Sequence, residues 1–495
     1  MLFNTLGFIF AFAPITVLGF YLLGRQGRET LVISWLVVCS FFFYAWWNPP
    51  YISLIFGSIL FNFYIGSKLS SPNTEKNKSL LTFGISCNLL LLVYFKYTGF
   101  LIDNINSIFE LNISVDNIIL PLAISFFTFQ QITYLVDSYR RETREYSFLK
   151  YCLYVSFFPQ LIAGPIVHHR EMMPQFNRKA AFSFKPENIS LGLTVFIIGL
   201  FKKIVIADGI EMYATPVFDA AAGGSLLSFS DAWIGAIAYT LQLYFDFSGY
   251  SDMAIGLACL FGIKLPINFN SPYKATNIID FWRRWHITLS RFLRDYLYIP
   301  LGGNRKGNFR RYTNLMITMI LGGLWHGAGW TFLIWGSLHG FYLVINNAWR
   351  WLVYSKLGYK SIEKNILYIG VCGLITFIVV IVSWVVFRAD NFTAAASMLQ
   401  SMFMLNSDFE TSIMTAVIEK PHKAFYNLTA LLLVIWLLPN TQQITGAGIG
   451  GHYKLATHKI IAWKPSIVWL AIIAVMLIWA LSRISEVSQF LYYQF

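Results

Sequence analysis

Residues 232–262, AWIGAIAYTLQLYFDFSGYSDMAIGLACLFG, form a long apolar run with two carboxylates, Asp246 and Asp252, near its middle. About 20 apolar residues are enough for a helix to cross a bilayer, so this run can span a membrane. The pattern predicts an all-α polytopic membrane protein, because similar blocks recur along the chain. They lie at 2–23, 31–47, 51–66, 79–96, 118–136, 149–167, 191–207, 313–326, 331–348, 366–386, 426–438 and 465–482.

The composition supports the same class. The chain has 495 residues, of which 56% are apolar and only 12% charged, and its mean hydropathy is +0.57. Soluble chains carry about 25% charged residues, so too few charges remain here to cover the apolar side chains in water. A soluble enzyme, a disordered chain and a collagen-like fibre are therefore excluded. The apolar runs are continuous rather than alternating, which favours membrane helices over a β-barrel.

The charges of the loops predict the topology. Arginine or lysine occurs repeatedly in 25–28 and 139–150, whereas 97–117 contains acidic residues and no Lys or Arg. Because cytoplasmic loops are enriched in Lys and Arg, we expect 139–150 to lie inside and both chain termini outside. The alternation gives about 11–13 membrane helices. The same basic loops account for the net charge of +13, so this charge does not indicate a nucleic-acid partner.

Block 149–167 breaks the alternation, because basic residues flank it on both sides. Its second half contains Pro159 and the run Ala-Gly-Pro at 163–165, which do not continue a regular helix easily. Broken backbone at membrane depth has to be buried in protein or line a wet cavity. We therefore predict a re-entrant segment here. The histidines that follow it, His168 and His169, are in a basic loop and are expected at the surface.

The two carboxylates of the central run are six residues apart, or about 600° of helical rotation, so they face different directions. Asp246 and Asp252 are therefore not an evident acid–base pair, and Gly249 is a candidate for interrupting the helix between them. Two interpretations remain open. The polar residues either form a network that holds helices together, or they line the wall of a reaction chamber.

The loop 264–312 contains DFWRRWHITLSRFLRDYLY at 280–298. Placed on a helix, its aromatic and leucine side chains cover one arc of about 120° and its arginines cover the other side. This predicts an amphipathic helix at the cytoplasmic interface, with His286 at the border of the two faces. The arginines suit a phosphate-bearing cofactor, anionic lipid headgroups or an ordinary interfacial helix. A flexible basic loop, 302–308, follows.

Another histidine, His326, lies in the run LGGLWHGAGW at 321–330, which is otherwise apolar. Burial disfavours the charged imidazolium, and a neutral imidazole can accept a proton as a general base. Close helix packing through small residues explains the neighbouring glycines equally well. His339 lies about 220° further around a helix, which disfavours a metal pair on one helix. No GxSxG or HExxH pattern supports a serine nucleophile or a zinc site, and no metal is expected.

Four long runs, at 244–252, 280–290, 294–304 and 322–327, occur in the same order as in a known family, and 125–140 and 161–167 match it too. They resemble the membrane-bound O-acyltransferase family, in particular its bacterial alginate O-acetyltransferase branch, which is also similar to the teichoic acid D-alanylation protein. The resemblance covers nearly the whole chain. It implies one membrane domain, with N-terminal helices at 2–138, a catalytic core at 149–348, and C-terminal helices with an outward tail at 366–495.

The resemblance implies an acyltransferase of the bacterial inner membrane. The two histidines of the family fall on His286 and His326, with His326 as the catalytic one. The donor would be a cytosolic acyl thioester, most simply acetyl-CoA, with no bound cofactor. A periplasmic acetyltransferase of the SGNH type would be the partner that completes transfer to an exported polysaccharide such as alginate. In relatives a terminal tyrosine is thought to relay the acyl group, and Tyr492 is the matching position.

These observations combine into one hypothesis with two rivals. An acetyl thioester docks from the cytosol, His326 removes the proton of an attacking hydroxyl, and His286 orients either the donor or that hydroxyl. The rivals are a polysaccharide or lipid-linked sugar transporter that consumes no thioester, and a scaffold that only recruits a periplasmic enzyme. The other predicted site residues are Arg283, Arg284, Asn304 and Arg305 for donor binding, and Asp246, Asp252 and Trp325 for the chamber.

Overall fold

The computed structural model describes residues 1–71, 75–116, 118–144, 147–177, 183–405, 417–448, 461–484 and 490–491. Every regular element within these ranges is a helix, which confirms the all-α class. The N-terminal part contains α1 (Ala13–Gly24), α2 (Glu29–Ala45), α3 (Tyr51–Leu69), α4 (Lys78–Phe109), α5 (Ile124–Arg140), α6 (Phe148–Ser156), α7 (Phe158–Leu161) and α8 (His169–Phe176).

The rest of the described chain continues with longer helices and several irregular turns. Its helices are α9 (Pro186–Phe201), α10 (Asp208–Ala222), α11 (Phe229–Leu260), α12 (Ile278–Arg284), α13 (Ile287–Leu293), α14 (Gly307–His326), α15 (Trp330–Arg350), α16 (Ile366–Arg388), α17 (Phe392–Met402), α18 (Pro421–Leu437), α19 (Thr441–Thr445) and α20 (Ile467–Ser482). Short π-helical segments occur at Phe8–Phe12, Lys202–Ala207, Arg294–Tyr298 and Trp351–Lys356. Short 3₁₀ turns occur at Pro272–Lys274 and Lys360–Lys364.

In the described ranges, four helical runs are long and apolar enough to cross a bilayer, and shorter apolar helices accompany them. The chain is therefore a polytopic membrane protein, as the composition predicted. The long runs are Tyr51–Leu69, Lys78–Phe109, Pro186–Ala222 and Ile366–Arg388. The shorter apolar helices are Phe8–Gly24, Glu29–Ala45 and Ile467–Ser482. The total of 11–13 spans and the direction of the chain through the membrane stay predictions.

Helix α11 lies at the centre of the fold and contacts α9, α10, α16 and α18. Its contact with α9 is made through glycines. A Cβ atom added to Gly249 would lie 2.7 Å from the backbone oxygen of Gly199, so no larger residue fits there without moving a helix. Such small-residue contacts let membrane helices approach closely. The expectation that Gly249 interrupts the helix is therefore wrong, because the helix is continuous there and the glycine serves packing.

Helices α14 and α15 form a helical hairpin, and His326 lies at the turn between them. A Cβ atom added to Gly323 would lie 3.0 Å from the Cα atom of Gly336, so the two helix backbones touch. Helix α14 ends at His326 because Gly327 takes up an extended conformation, with φ −156° and ψ 151°. His326, which the resemblance makes the catalytic histidine, is thus the last residue of α14 and lies beside a turn rather than in the middle of a helix.

The backbone is broken at 148–168, where the sequence predicted a re-entrant segment. Helices α6 and α7 meet at Phe157, whose φ of −50° and ψ of 105° are not helical. Both short helices are buried, apart from the first residues of α6, so the broken backbone is covered by protein, as membrane depth requires. Gly164 is needed just after them, because a Cβ there would collide with the backbone of Gln160.

The prediction of one amphipathic helix across 280–298 is wrong. The chain forms two short helices, α12 and α13, separated by Trp285 in an extended conformation and His286 with φ 41°. The break is stabilised by the preceding segment, because Ile287 N–H donates to the Asn268 carbonyl at 2.9 Å and Asn270 N–H donates to that of Arg284 at 2.9 Å. His286 consequently turns inward and is fully buried rather than at an interface.

Candidate functional site

His326 lies in an aromatic enclosure. Its ring centroid is 5.0 Å from that of Trp325, 5.1 Å from Trp335 and 5.4 Å from Phe387. The residue is 4% exposed, so water has little access to the ring from these sides. An apolar enclosure disfavours the charged imidazolium, and the ring is therefore suited to start a reaction cycle neutral.

The second predicted histidine meets the first in space, although the two are 40 positions apart in sequence. The ring centroids of His286 and His326 are 6.4 Å apart. The break between α12 and α13 turns His286 toward the end of α14. Its ring also contacts Phe247 of α11 edge-on, with centroids 4.8 Å apart. The fold therefore brings the two imidazoles close together in the protein interior.

The end of α14 is held by a lysine that the sequence reasoning missed. The Lys96 ammonium donates to the backbone carbonyls of Trp325 at 2.6 Å and His326 at 2.8 Å. The neighbouring Tyr97 hydroxyl donates to the carbonyl of Leu324 at 2.7 Å. A cation is favourable at a helix C-terminus, where the last carbonyls have no helical partner. The sequence did contain one signal for this role, because Lys96 is a charged residue at the end of the apolar block 79–96.

A cavity of about 310 Å³ opens beside His326. Its polar wall includes Lys96, Ser125 and His326, and its apolar wall includes Trp325 and Ile162. This volume is within the usual size of small-molecule sites. The cavity is also bordered by 120–124, the segment that leads from the acidic loop into α5. On the topology predicted from charge, the cavity therefore faces the outer side of the membrane.

The predicted chamber residues separate into two groups. Trp325 lines the cavity, whereas Asp246 and Asp252 are not among its described lining residues. Asp246 pairs with Lys203 at 2.7 Å, and it also accepts the Leu491 N–H at 3.2 Å. These contacts fasten the described end of the C-terminal tail to α11.

Asp252 forms a second buried network. It pairs with Lys202 at 2.7 Å and accepts hydrogen bonds from Thr441 at 2.7 Å and Gln442 at 2.5 Å. The two carboxylates therefore engage different partners, as expected from their helical spacing. Of the two interpretations left open by the sequence, these contacts favour a polar network that holds helices together.

The predicted donor-binding residues lie away from the cavity lining. Arg283, Asn304 and Arg305 are exposed, and Arg284 is half-buried in an ion pair with Asp280 at 2.9 Å. Their role in donor binding stays a prediction. Tyr492, the predicted relay, lies outside the described residues.

His168 and His169 are buried, so the expectation that they lie at the surface is wrong. His168 Nδ1 lies 3.0 Å from the Tyr296 hydroxyl, which in turn donates to Asp137 at 2.7 Å. This chain of contacts ties α5 to the π-helical segment after α13, and only the folded backbone brings these residues together.

His339 is a third buried histidine of the same region. It accepts a hydrogen bond from the Trp282 indole at 3.3 Å, and its ring centroid is 4.7 Å from that of Trp335. In the described part of the chain, no group of three or more His, Cys, Asp or Glu residues has the arrangement of a metal site.

Comparison with known proteins shows the family of the chain. The model of the membrane-bound O-acyltransferase family matches residues 41–387. The chain is 49% identical to a peptidoglycan O-acetyltransferase of Helicobacter pylori, over 82% of this chain and 80% of that protein. It is 42% identical to a probable alginate O-acetylase of Pseudomonas putida, over 81% and 80%. It is 28% identical to a teichoic acid D-alanyltransferase of Streptococcus thermophilus, over 54% and 68%. The chain therefore belongs to the membrane-bound O-acyltransferase family and is an acyltransferase.

Proposed function

We propose that this acyltransferase moves an acetyl group from a cytosolic thioester to a hydroxyl group on the outer side of the bacterial inner membrane, for O-acetylation of an exported polysaccharide. The observation that carries the proposal is the pair of buried imidazoles, 6.4 Å apart, of which His326 lines a cavity. Two relatives covering four fifths of the chain are named as O-acetylating enzymes, which supports acetyl as the transferred group.

The step proposed for His326 is one acyl transfer from the thioester to a hydroxyl, either that of the acceptor or that of the relay Tyr492. His326 accepts the proton of the attacking hydroxyl, whose oxygen forms a new bond to the carbonyl carbon of the thioester. The carbon–sulfur bond breaks, and the sulfur leaves as a thiol after taking up the proton from His326. General base catalysis of this kind contributes about 10²–10⁴ in rate. The aromatic enclosure of His326 limits competing attack by water.

The donor and the partner are part of the proposal. Acetyl-CoA is the simplest donor, with Arg283, Arg284, Asn304 and Arg305 as the residues that would meet its phosphates on the cytosolic side. A periplasmic SGNH-type acetyltransferase would receive the acetyl group, with Tyr492 as the relay. The contact between Asp246 and Leu491 supports this route, because it brings the tail to the helix that also contacts His286.

The acceptor is proposed from the relatives. One is named as acting on peptidoglycan and others on alginate, and both are exported polysaccharides with free hydroxyl groups. At 49% identity over four fifths of the chain, the peptidoglycan enzyme makes a cell-wall glycan the first acceptor to test.

The test is the content of ester-linked acetate in the exported glycans of cells that carry His326→Ala. We expect that this variant lacks the ester while its level in the membrane is unchanged. His339→Gln is the matched control. His339 is buried in the same aromatic region, and the glutamine keeps an acceptor for the Trp282 indole. Normal acetylation in the His326→Ala cells would reject the proposal that His326 performs the transfer.

A further inference from the structure

Asn268 lies next to His286 and has no place in the reaction described so far. It is fully buried in the segment between α11 and α12. Its side-chain oxygen Oδ1 meets three groups: His286 Nδ1 at 3.1 Å, Thr288 N at 3.3 Å and Thr288 Oγ1 at 2.9 Å. A single oxygen therefore organises the turn on which His286 stands.

The directions of these hydrogen bonds follow from two backbone amides. The Thr288 N–H can only donate, so the atom of Asn268 that faces it must be the oxygen and not the amide nitrogen. The Ile166 N–H donates to Thr288 Oγ1 at 3.0 Å, which leaves the hydroxyl proton of Thr288 to point at Asn268. The orientation of the asparagine amide is thus fixed by groups whose donor role has no alternative.

The same reasoning assigns the proton on His286. Because Asn268 Oδ1 is an acceptor, His286 Nδ1 must carry a hydrogen and donate it. A neutral imidazole has one N–H, so its other nitrogen, Nε2, then carries the lone pair. The backbone carbonyl of Asn268 holds the same turn by accepting the Ile287 N–H at 2.9 Å. Both oxygens of one residue therefore fix the position of the ring and its tautomer.

We propose that Asn268 is a positioning residue that holds His286 as the Nδ1–H tautomer, so that His286 Nε2 binds the attacking hydroxyl and not the thioester. The proposal rests on the function proposed above and narrows it. A lone pair on Nε2 accepts a hydrogen bond from a hydroxyl, whereas a thioester carbonyl has no proton to donate. In the neutral ring, His286 Nε2 therefore cannot orient the donor by a hydrogen bond to its thioester carbonyl.

The decisive variant is Asn268→Leu, which has a similar size and no acceptor. We expect kcat for acetyl transfer from acetyl-CoA to fall by about 10- to 100-fold, because a misplacement of about 1 Å can lower a rate by about 100-fold. Asn268→Asp keeps the oxygen and should retain activity within a few-fold of wild type. Asn62→Leu removes another fully buried asparagine, from the contact between α3 and α4, and is the matched control.

A double variant separates positioning from loss of stability. If Asn268 acts through His286, Asn268→Leu should lower the rate by less than about twofold when it is added to His286→Ala, because coupled residues are not additive. A role in stability alone would multiply the two losses and would overturn the proposal. Wild-type activity of Asn268→Leu would overturn it as well.

A second measurement uses a protein that keeps Asn268, so it does not depend on whether an Asn268 variant folds. Nitrogen-15 NMR of the full chain with labelled histidine, assigned by comparison with His286→Ala, reports which ring nitrogen carries the proton. We expect a protonated Nδ1 and an unprotonated Nε2 at neutral pH, and the opposite tautomer would overturn the inference. The proposed function has its own test, because activity retained by His326→Ala would reject the acyl transfer by His326 whatever the tautomer of His286.

Discussion

Removing the ammonium of Lys96 is expected to impair both the folding and the activity of the protein. Lys96→Met keeps the length and apolar stem of the side chain but loses the hydrogen bonds of 2.6 and 2.8 Å to the carbonyls of Trp325 and His326. A hydrogen bond to a charged group contributes about 1.5–3 kcal/mol. Water from the adjoining cavity can replace part of this, so we expect a loss of about 2–3 kcal/mol in unfolding free energy.

The effect on activity follows from the position of His326 at the end of α14. Without the lysine, Tyr97 still donates to the last helical turn, through the carbonyl of Leu324. A shift of about 1 Å in a reacting group can lower a rate by about 100-fold. We therefore expect a fall of at least tenfold in acetyl transfer, beyond that explained by the amount of folded protein.

The assay combines thermal unfolding in detergent with acetyl transfer from labelled acetyl-CoA, normalised to folded protein. Lys68→Met is the control, because Lys68 is an exposed lysine whose charge lies 5.7 Å from the ring of Tyr64. If Lys96→Met unfolded and reacted like the wild type, the lysine would not hold the end of α14. The account of how His326 is positioned would then be refuted.

Three other outcomes are expected. Gly249→Leu should reduce the amount of folded protein in size-exclusion profiles, because α9 blocks its side chain, whereas Gly209→Leu, with open space around it, should not. Asp252→Ala should lower the free energy of unfolding by about 3–5 kcal/mol, because Lys202 loses its buried partner. An unchanged melting temperature would contradict this. If the basic residues bind the donor, Arg283→Ala should raise KM for acetyl-CoA several-fold with kcat unchanged, and an unchanged KM would remove that role.

The composition and the apolar blocks were sufficient to predict the membrane class, because transfer of apolar side chains out of water depends on local sequence. Among the aromatic and leucine side chains that the projection placed on one face of 280–298, Phe281, Trp285, Leu289 and Phe292 are each less than 7% exposed, whereas Trp282 and Tyr296 are half-buried. The prediction that one helix carries them was wrong. The hydrogen bonds that break it come from 268–270, and a helical projection considers only neighbours along one helix.

The remaining differences have the same cause. The collision that requires glycine at 249 is with Gly199, and the hydroxyl that contacts His168 comes from the segment after α13. Lys96 is 230 positions away from the carbonyl of His326 that it holds. A single sequence contains no signal for contacts of this range. His286 and His326 were singled out from the residues around them, and the resemblance to a family paired the two.

The most direct test of the central claim uses inverted membrane vesicles, in which the cytosolic face is outside, and acetyl-CoA labelled in the acetyl group. Wild-type vesicles should accumulate alkali-labile acetyl ester inside and release coenzyme A outside in equal amounts, and His326→Ala vesicles should do neither. Ester formation at the wild-type rate in His326→Ala vesicles would contradict the claim that this buried imidazole performs the transfer.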